Sequence, residues 1–222
     1  MIISNINRSD VWSYTLTQID RFLPLATPED NSLLRECTEK TLLRISKCFG
    51  EINHHSYSTA KGEAKFNIFN SDQYCSFLCL LASEAHRLSE HGNLASRIFY
   101  LNKILHGVNC TYHLAFPDVF WIIHGVGTVI GNAKLSEYLV VRQGCTIGAI
   151  GGEYPEIGEG FIMSANTSII GSCKIGRNVM LEPGSVLLKQ SIPDNQRVSG
   201  NHFTGYTLKA QSEKALAIHF HL

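Results

Sequence analysis

Residues 157–192 read IGEGFI MSANTS IIGSCK IGRNVM LEPGSV LLKQSI, with an aliphatic residue opening each block of six at Ile157, Met163, Ile169, Ile175, Leu181 and Leu187. Across a slip of four residues the same spacing runs back to Ile147, Val141, Leu135, Val129 and Ile123, giving eleven hexads. Four positions after the anchors the residues are mostly small, among them Gly127, Ala133, Cys145, Gly151, Thr167 and Cys173, and Gly follows the anchor directly at 148, 158 and 176. Neither a 3.6-residue helix nor strand alternation produces a strict period of six. A parallel β-helix does: one apolar side chain per hexad enters a narrow triangular prism, and small residues fit its tight corners. Such coils wind left-handed, against the usual crossover preference, and take three hexads per turn. Eleven hexads therefore predict almost four coils, a prism about 18 Å tall at the usual strand spacing.

Upstream of the hexads the period changes to that of helices. Thr27-Pro28-Glu29-Asp30 supplies an N-cap, a proline at the first helical position and acids in the first turn, and Leu34, Cys37, Leu42, Ile45 and Phe49 form a stripe ending at Gly50. A second helix is predicted from Ser71-Asp72 to Gly92, a third from Leu94 to Leu105 with a stop at Gly107, and a short one at 9–23 closed by Pro24. Of the 18 glycines, 14 lie after residue 107, which divides the chain at that point. The reading is an α+β protein with an N-terminal α-helical domain at 1–107, a left-handed parallel β-helix of hexapeptide repeats at 108–192 and a C-terminal segment at 193–222. So short a prism has exposed ends and flat faces. The helices cover one end, and copies of the chain covering the faces make a cyclic homotrimer the expected assembly.

Composition narrows the function. The 222 residues hold 19 Lys+Arg against 19 Asp+Glu, and the balance holds in each half, 11 against 11 up to residue 107 and 8 against 8 beyond it. A duplex-binding surface needs clustered basic residues, and polybasic membrane attachment needs the same, so neither nucleic acid nor a membrane surface is an expected partner. The longest apolar runs, such as Phe77–Ala82 and Val119–Ile123, are far short of the roughly 20 residues that span a bilayer. MIISNINRSD lacks a charged leader and cleavage site, and seven scattered cysteines read as reduced small hydrophobes, so a cytoplasmic location is expected. Cys75 and Cys79 lie four apart without two further ligands, and His54-His55 stands alone, so no metal is expected.

His124 is the residue that promises chemistry. It stands in Ile122-Ile123-His124-Gly125-Val126-Gly127, where an i+1 side chain points outward from a coil and glycines allow close approach. The hexads, the helical first half, Phe99-Tyr100-Leu101-Asn102-Lys103 and the stretch His124-Gly-Val-Gly-Thr-Val-Ile-Gly131 together resemble the serine acetyltransferase family of hexapeptide acyltransferases over roughly residues 70–200. Ser71-Asp72-Gln73-Tyr74 and Tyr100-Leu101-Asn102-Lys103 are also similar to stretches in a branch associated with surface-polysaccharide biosynthesis.

The resemblance implies acetyl-CoA as co-substrate, lying in a groove between neighbouring prisms, with His124 as general base on an acceptor hydroxyl. It points to Gly148, Ala149 and Ala165 for the pantetheine arm, to Lys189 or Arg197 for phosphate, and to Asp72 for the acceptor. Where this family orients its histidine with an aspartate fifteen residues upstream, this chain has Asn109, leaving either a weaker base or another acid, such as Asp118, as orienter. The aspartate that precedes the family's histidine is Ile123 here, and the family's Arg-His-Pro loop reads Glu153-Tyr154-Pro155. A zwitterionic amino acid needs an anion and a cation, and both expected partners are missing. The expectation is therefore a sugar or polysaccharide-precursor hydroxyl in a pocket lined by Tyr112, Glu153 and Tyr154. The alternatives are serine O-acetylation, N-acetylation of an amino sugar, and a non-catalytic binding or scaffold trimer.

Overall fold

The computed structural model describes residues 1–24, 27–89 and 93–222. Its first part is helical. After a short strand β1 (Ile2–Ser4) come α1 (Val11–Phe22) and α2 (Pro28–Glu51), then β2 (Lys65–Asn67), α3 (Ser71–Leu88) and α4 (Leu94–His106). The cap read from the sequence is present as a capping box: Thr27 Oγ1 accepts the Asp30 N–H at 3.2 Å and Asp30 Oδ2 accepts the Thr27 N–H at 3.0 Å. Asn70 caps α3, its Oδ1 accepting from the N–H groups of Asp72 and Gln73. The predicted stop of α3 at Gly92 lies outside the described residues. α4 ends as expected, at Gly107 in the left-handed conformation with φ 65°. The parallel pairing of β1 with β2 had no sequence signal, since each strand has three residues.

The second part is a parallel solenoid of about five turns. One face stacks β3 (Asn109–Cys110), β5 (Val129–Ile130), β7 (Thr146–Gly148), β10 (Ser168–Ile170) and β13 (Val186–Leu188). A second stacks β8 (Glu156–Ile157), β11 (Lys174–Ile175) and β14 (Ser191–Ile192). The third stacks β4 (Phe120–Ile123), β6 (Leu139–Arg142), β9 (Ile162–Met163), β12 (Met180–Leu181) and β15 (Gln196–Asn201), with β16 (Gly205–Ala210) antiparallel on its edge. Coiling thus begins at Asn109 and runs past the expected end at Ile192. The anchors Val141, Ile147, Ile157, Met163, Ile169, Ile175, Leu181 and Leu187 are all buried. In the first coil the hexad register is displaced by one. Ile122, not Ile123, pairs with Val141, and Ile130 is buried while Val129 is exposed.

The four-residue slip is a β-hairpin turn. Ile150 and Glu153 exchange both backbone hydrogen bonds, at 3.0 and 3.1 Å, around Gly151 and Gly152, whose φ values of 61° and 83° are those of a Gly-Gly type I′ turn. The C-terminal tail, outside the repeat, returns to the helices: Phe220 bridges Ile52, and the His221 N–H donates to Glu51 O at 2.8 Å. All seven cysteines are buried free thiols. Among the described residues no helix is long and apolar enough to cross a membrane.

Two of the glycines that follow hexad anchors, Gly158 and Gly176, have a specific cause. A Cβ on Gly158 would lie 2.6 Å from the carbonyl oxygen of Gly176, and one on Gly176 would lie 2.6 Å from the backbone nitrogen of Asp194. Successive coils meet there backbone to backbone. Gly184, with φ 76°, has nothing within 4 Å of a Cβ and carries only the left-handed conformational cost. Gly158→Ala and Gly176→Ala are expected to destabilise by about 3 kcal/mol and Gly184→Ala by about 1 kcal/mol. Urea unfolding midpoints check this, and equal shifts for the three variants would contradict the stacking account.

Candidate functional site

The first corner of the solenoid is longer than the one above it. From Ile123 to Val129 the chain takes six steps, while their partners Arg142 and Thr146 are four steps apart. The regular corner is nevertheless present, because Gly107 O accepts the Gly127 N–H at 3.1 Å and Val126 O accepts the Gly144 N–H at 3.0 Å. The surplus is His124-Gly125. Gly125 must lack a side chain, since a Cβ would fall 2.8 Å from Ile122 Cγ2 and 3.0 Å from Val108 Cγ2. His124 takes φ 53°, an unusual conformation for a residue with a Cβ, and its side chain is 74% exposed.

Asp72, in the first turn of α3, holds this corner. Its Oδ2 accepts the His124 backbone N–H at 3.0 Å and lies 3.4 Å from Nδ1 of the same residue, with the carboxylate side chain only 21% exposed. The loop before α3 is fixed by Gln73, which is buried, accepts the Asn67 N–H at 2.6 Å and donates to Ser56 O at 2.8 Å. A carboxylate at Nδ1 favours the tautomer with hydrogen on that nitrogen, which leaves the Nε2 lone pair free to take a proton. Asn109, expected as orienter, sits in β3 with its backbone N–H donating to Thr128 O, and no side-chain hydrogen bond joins it to His124. Asp118 is committed elsewhere, to Lys47 at 2.7 Å.

The remaining site residues named from the sequence fall into separate places. Glu153 and Lys189, expected in the acceptor and cofactor sites respectively, approach each other at 3.9 Å beside the Gly151-Gly152 turn. Tyr154 is exposed after that turn, Gly148 and Ala149 lead into it, and half-buried Ala165 accepts the Gly184 N–H at 3.1 Å. Tyr112 belongs to a ring cluster with Phe99, His86 and His113. No hydrogen bond or ring contact among the described residues joins Tyr112, Glu153 or Tyr154 to His124. Among those residues, too, no group of three or more His, Cys, Asp or Glu side chains is placed to hold a metal ion.

A pocket of about 390 Å³ opens beside Asp72, between the start of α3, the end of α4 and the His124 corner. It contains a residue that the sequence reading passed over, His106. A histidine in the last turn of a helix before a capping glycine reads as a partner for the helix dipole, so its pattern gives no warning. Its Nδ1 lies 2.7 Å from Asn102 Oδ1, and Asn102 Nδ2 in turn donates to Cys75 O and Cys79 Sγ, both at 3.2 Å. Those two acceptors fix the amide, so Nδ1 of His106 is the donor. Burial lowers the His106 pKa from its ordinary 6.5 to about 4, with the Asp72 charge opposing the shift.

Comparison with known proteins bears on this arrangement. No protein-family model matches the chain. Serine acetyltransferase 2 of Arabidopsis thaliana is 33% identical over 141 residues, 60% of this chain and 43% of that protein. A serine acetyltransferase of Staphylococcus epidermidis is 29% identical over 137 residues, 59% of this chain and 63% of that protein. The chain spans less than two thirds of the length of these curated relatives. Among solved structures, a serine acetyltransferase from Brucella abortus superposes with a TM-score of 0.69 at 16% identity, covering 91% of this chain and 84% of that one. A serine acetyltransferase in complex with CoA gives 0.67 at 16% identity over 92% and 86%. At such identities these likenesses establish the fold.

The His106 environment has a measurable consequence. Above pH 6.5 the ring is neutral in both folded and unfolded chains; as pH falls from 6.5 towards 4 the unfolded chain binds a proton that the folded chain refuses, so stability is lost in that window. His106→Phe is expected to lower the thermal midpoint at neutral pH yet flatten its decline between about pH 6.5 and 4.5. Parallel curves for the two proteins would contradict the half-buried neutral imidazole.

Proposed function

We propose that the chain is an acetyl-CoA-dependent O-acetyltransferase with His124 as general base and Asp72 as its orienting carboxylate. The carrying observation is the surplus corner, which sets an exposed imidazole on the solenoid surface with a carboxylate 3.4 Å from Nδ1. The likeness to serine acetyltransferases in sequence and fold supports the same reaction class. Of the acceptors considered from the sequence, serine is the one this likeness favours; the reported relatives lend nothing to the surface-polysaccharide branch. One observation favours a second reading, an uncharged hydroxyl acceptor: Ile123 is buried and apolar, and Glu153 is an anion facing Lys189.

In this mechanism Nε2 of His124 takes the proton of the acceptor hydroxyl as its oxygen bonds to the acetyl carbonyl carbon. The carbon–sulfur bond then breaks and the imidazolium returns the proton to the departing thiolate, giving an O-acetyl ester and a free thiol. Asp72 faces the imidazolium while it carries that proton. The residues present fit acetyl-CoA as co-substrate. Around Gly151 and Gly152 nothing lies within 4 Å of a Cβ, and Gly148 and Ala149 lead into this open stretch, room for a pantetheine arm along the backbone. Lys189 is the cation beside it, and Ala165 is the small residue on the neighbouring corner.

A homotrimer completes the proposal. Val126, Val129 and Ile150 leave 69%, 38% and 40% of their surface exposed on the solenoid, an apolar face suited to a second copy. Light scattering on the purified chain is expected to give about three times its 24.7 kDa mass, and a monomer at micromolar concentration would contradict the trimer.

Thiol release from acetyl-CoA tests the reaction itself, with serine and neutral sugars as competing acceptors. Expected results are turnover with one acceptor class, a loss of about 10³-fold in kcat for His124→Ala and about 10- to 100-fold for Asp72→Asn, with Asn109→Ala within about twofold of wild type. Retention of activity by His124→Ala removes the general base. Serine turnover settles the acceptor against the uncharged reading, and absence of thiol release with either class supports the scaffold alternative.

A further inference from the structure

The pocket beside the proposed base is one-sided in its chemistry. Its polar lining is Ser71, Asp72 and His106, while Leu105, Val108 and Val126 supply apolar wall, and no lysine or arginine lines it. Asp72 is a hydrogen-bond acceptor when ionised. His106 is one as well: its Nδ1–H is spent on Asn102, so Nε2 carries a bare lone pair, and no hydrogen bond to Nε2 is found among the described residues. The ring cannot easily swing away. It meets Tyr74 edge-on at 5.9 Å, and Tyr74 is itself anchored, donating to Gln18 Oε1 at 2.6 Å. Burial keeps the imidazole uncharged at neutral pH, so it does not become a donor there.

We infer that this pocket takes the ammonium end of the acceptor molecule, and that His106 Nε2 receives one of its hydrogens as a specificity-determining contact. The inference rests on the acetyl-transfer reading, because the pocket adjoins His124 through Asp72 and Gly125. It assigns His106 to acceptor binding and leaves proton transfer to His124. The site favours a donor group: Asp72 and His106 are acceptors, no cation lines it, and a carboxylate would meet the like charge of Asp72 with only the Ser71 hydroxyl and the Cys75 thiol as side-chain donors. A half-buried acceptor left without a hydrogen once the pocket fills is costly, which is why an acceptor molecule lacking that one group is rejected more strongly than its size implies.

The experiment uses two pairs of acceptors that differ only by one amine: serine with 3-hydroxypropionate, and 2-aminopropane-1,3-diol with propane-1,3-diol. Thiol release and O-acetyl ester are followed with the full chain, its His106→Leu and His106→Gln variants, and acetyl-CoA. Wild type is expected to prefer the amine-bearing member of each pair by at least about 30-fold in kcat/KM. His106→Leu is expected to reduce that preference to under about fivefold through a rise in acceptor KM, with KM for acetyl-CoA unchanged, and His106→Gln, which restores an acceptor oxygen, to recover part of it. A His106→Leu variant that slows all four acceptors equally, or keeps the full preference, overturns the assignment while acetyl transfer stands. A wild type without the amine preference, or one that releases no thiol with any of the four, overturns the assignment, and acetyl transfer falls with it only if the neutral sugars release no thiol either.

Discussion

A coil of this solenoid closes only where its backbone amides meet the carbonyls of the coil below, and that constraint governs everything else in the molecule. Gly158 and Gly176 follow anchors because neighbouring coils meet there with no room for a Cβ, as at Gly158 against Gly176 O. The left-handed residues Gly127, Gly144, Asn166 and Gly184 recur one per coil because the same corner has to be turned at the same height each time. A chain with more residues than a corner needs has one way out, away from the stack. His124-Gly125 is such an excess, so the fold itself pushes an imidazole off the prism where a substrate can reach it. A local departure from a strict rule thus marks the site.

This explains what the sequence made readable. Period six over residues 141–187 specified the prism because each anchor repeats an identical local environment, and the caps at Thr27 and Gly107 are local too. In the first coil a constant period points to Ile123 and Val129 as anchors, one residue away from Ile122 and Ile130, because two inserted residues leave no mark on the period. The end of the prism was set too early for a related reason: β15 still pairs in parallel with β12, but its outer edge is occupied by antiparallel β16, which follows hairpin periodicity.

The partner of His124 was illegible for a different reason. Sequence distance is the only measure a single chain offers, and the search for an orienting group fifteen residues upstream found an amide in Asn109. The carboxylate comes instead from 52 residues away, brought in by the Asn70 cap and the Gln73 anchor at the start of α3. His106 was missed because its role depends on a chain of contacts, through Asn102 to the carbonyl of Cys75 and the thiol of Cys79, that no spacing encodes. Packing between helices and prism, not the repeat, supplies the polar groups around His124.

Ion pairs on the prism show by contrast what Asp72 faces. On and beside the prism, Lys134 pairs with Glu156 at 2.8 Å, Arg177 with Asp194 at 3.2 Å, Arg197 with Glu182 at 2.7 Å, and Lys47 with Asp118 at 2.7 Å. Some of the balance between acids and bases is thus a balance of neighbours. Asp72 lies outside this pattern: among the described residues it meets no lysine or arginine, and its one charged-type contact is the imidazole of His124. A lysine at that place would share its field and compete for its oxygens. Without one, the carboxylate's negative charge is directed at the imidazole alone, an attraction that strengthens whenever the ring takes up a proton. That asymmetry is what a general base requires of its neighbour, since an interaction stronger in the charged state favours the transition state over the resting site.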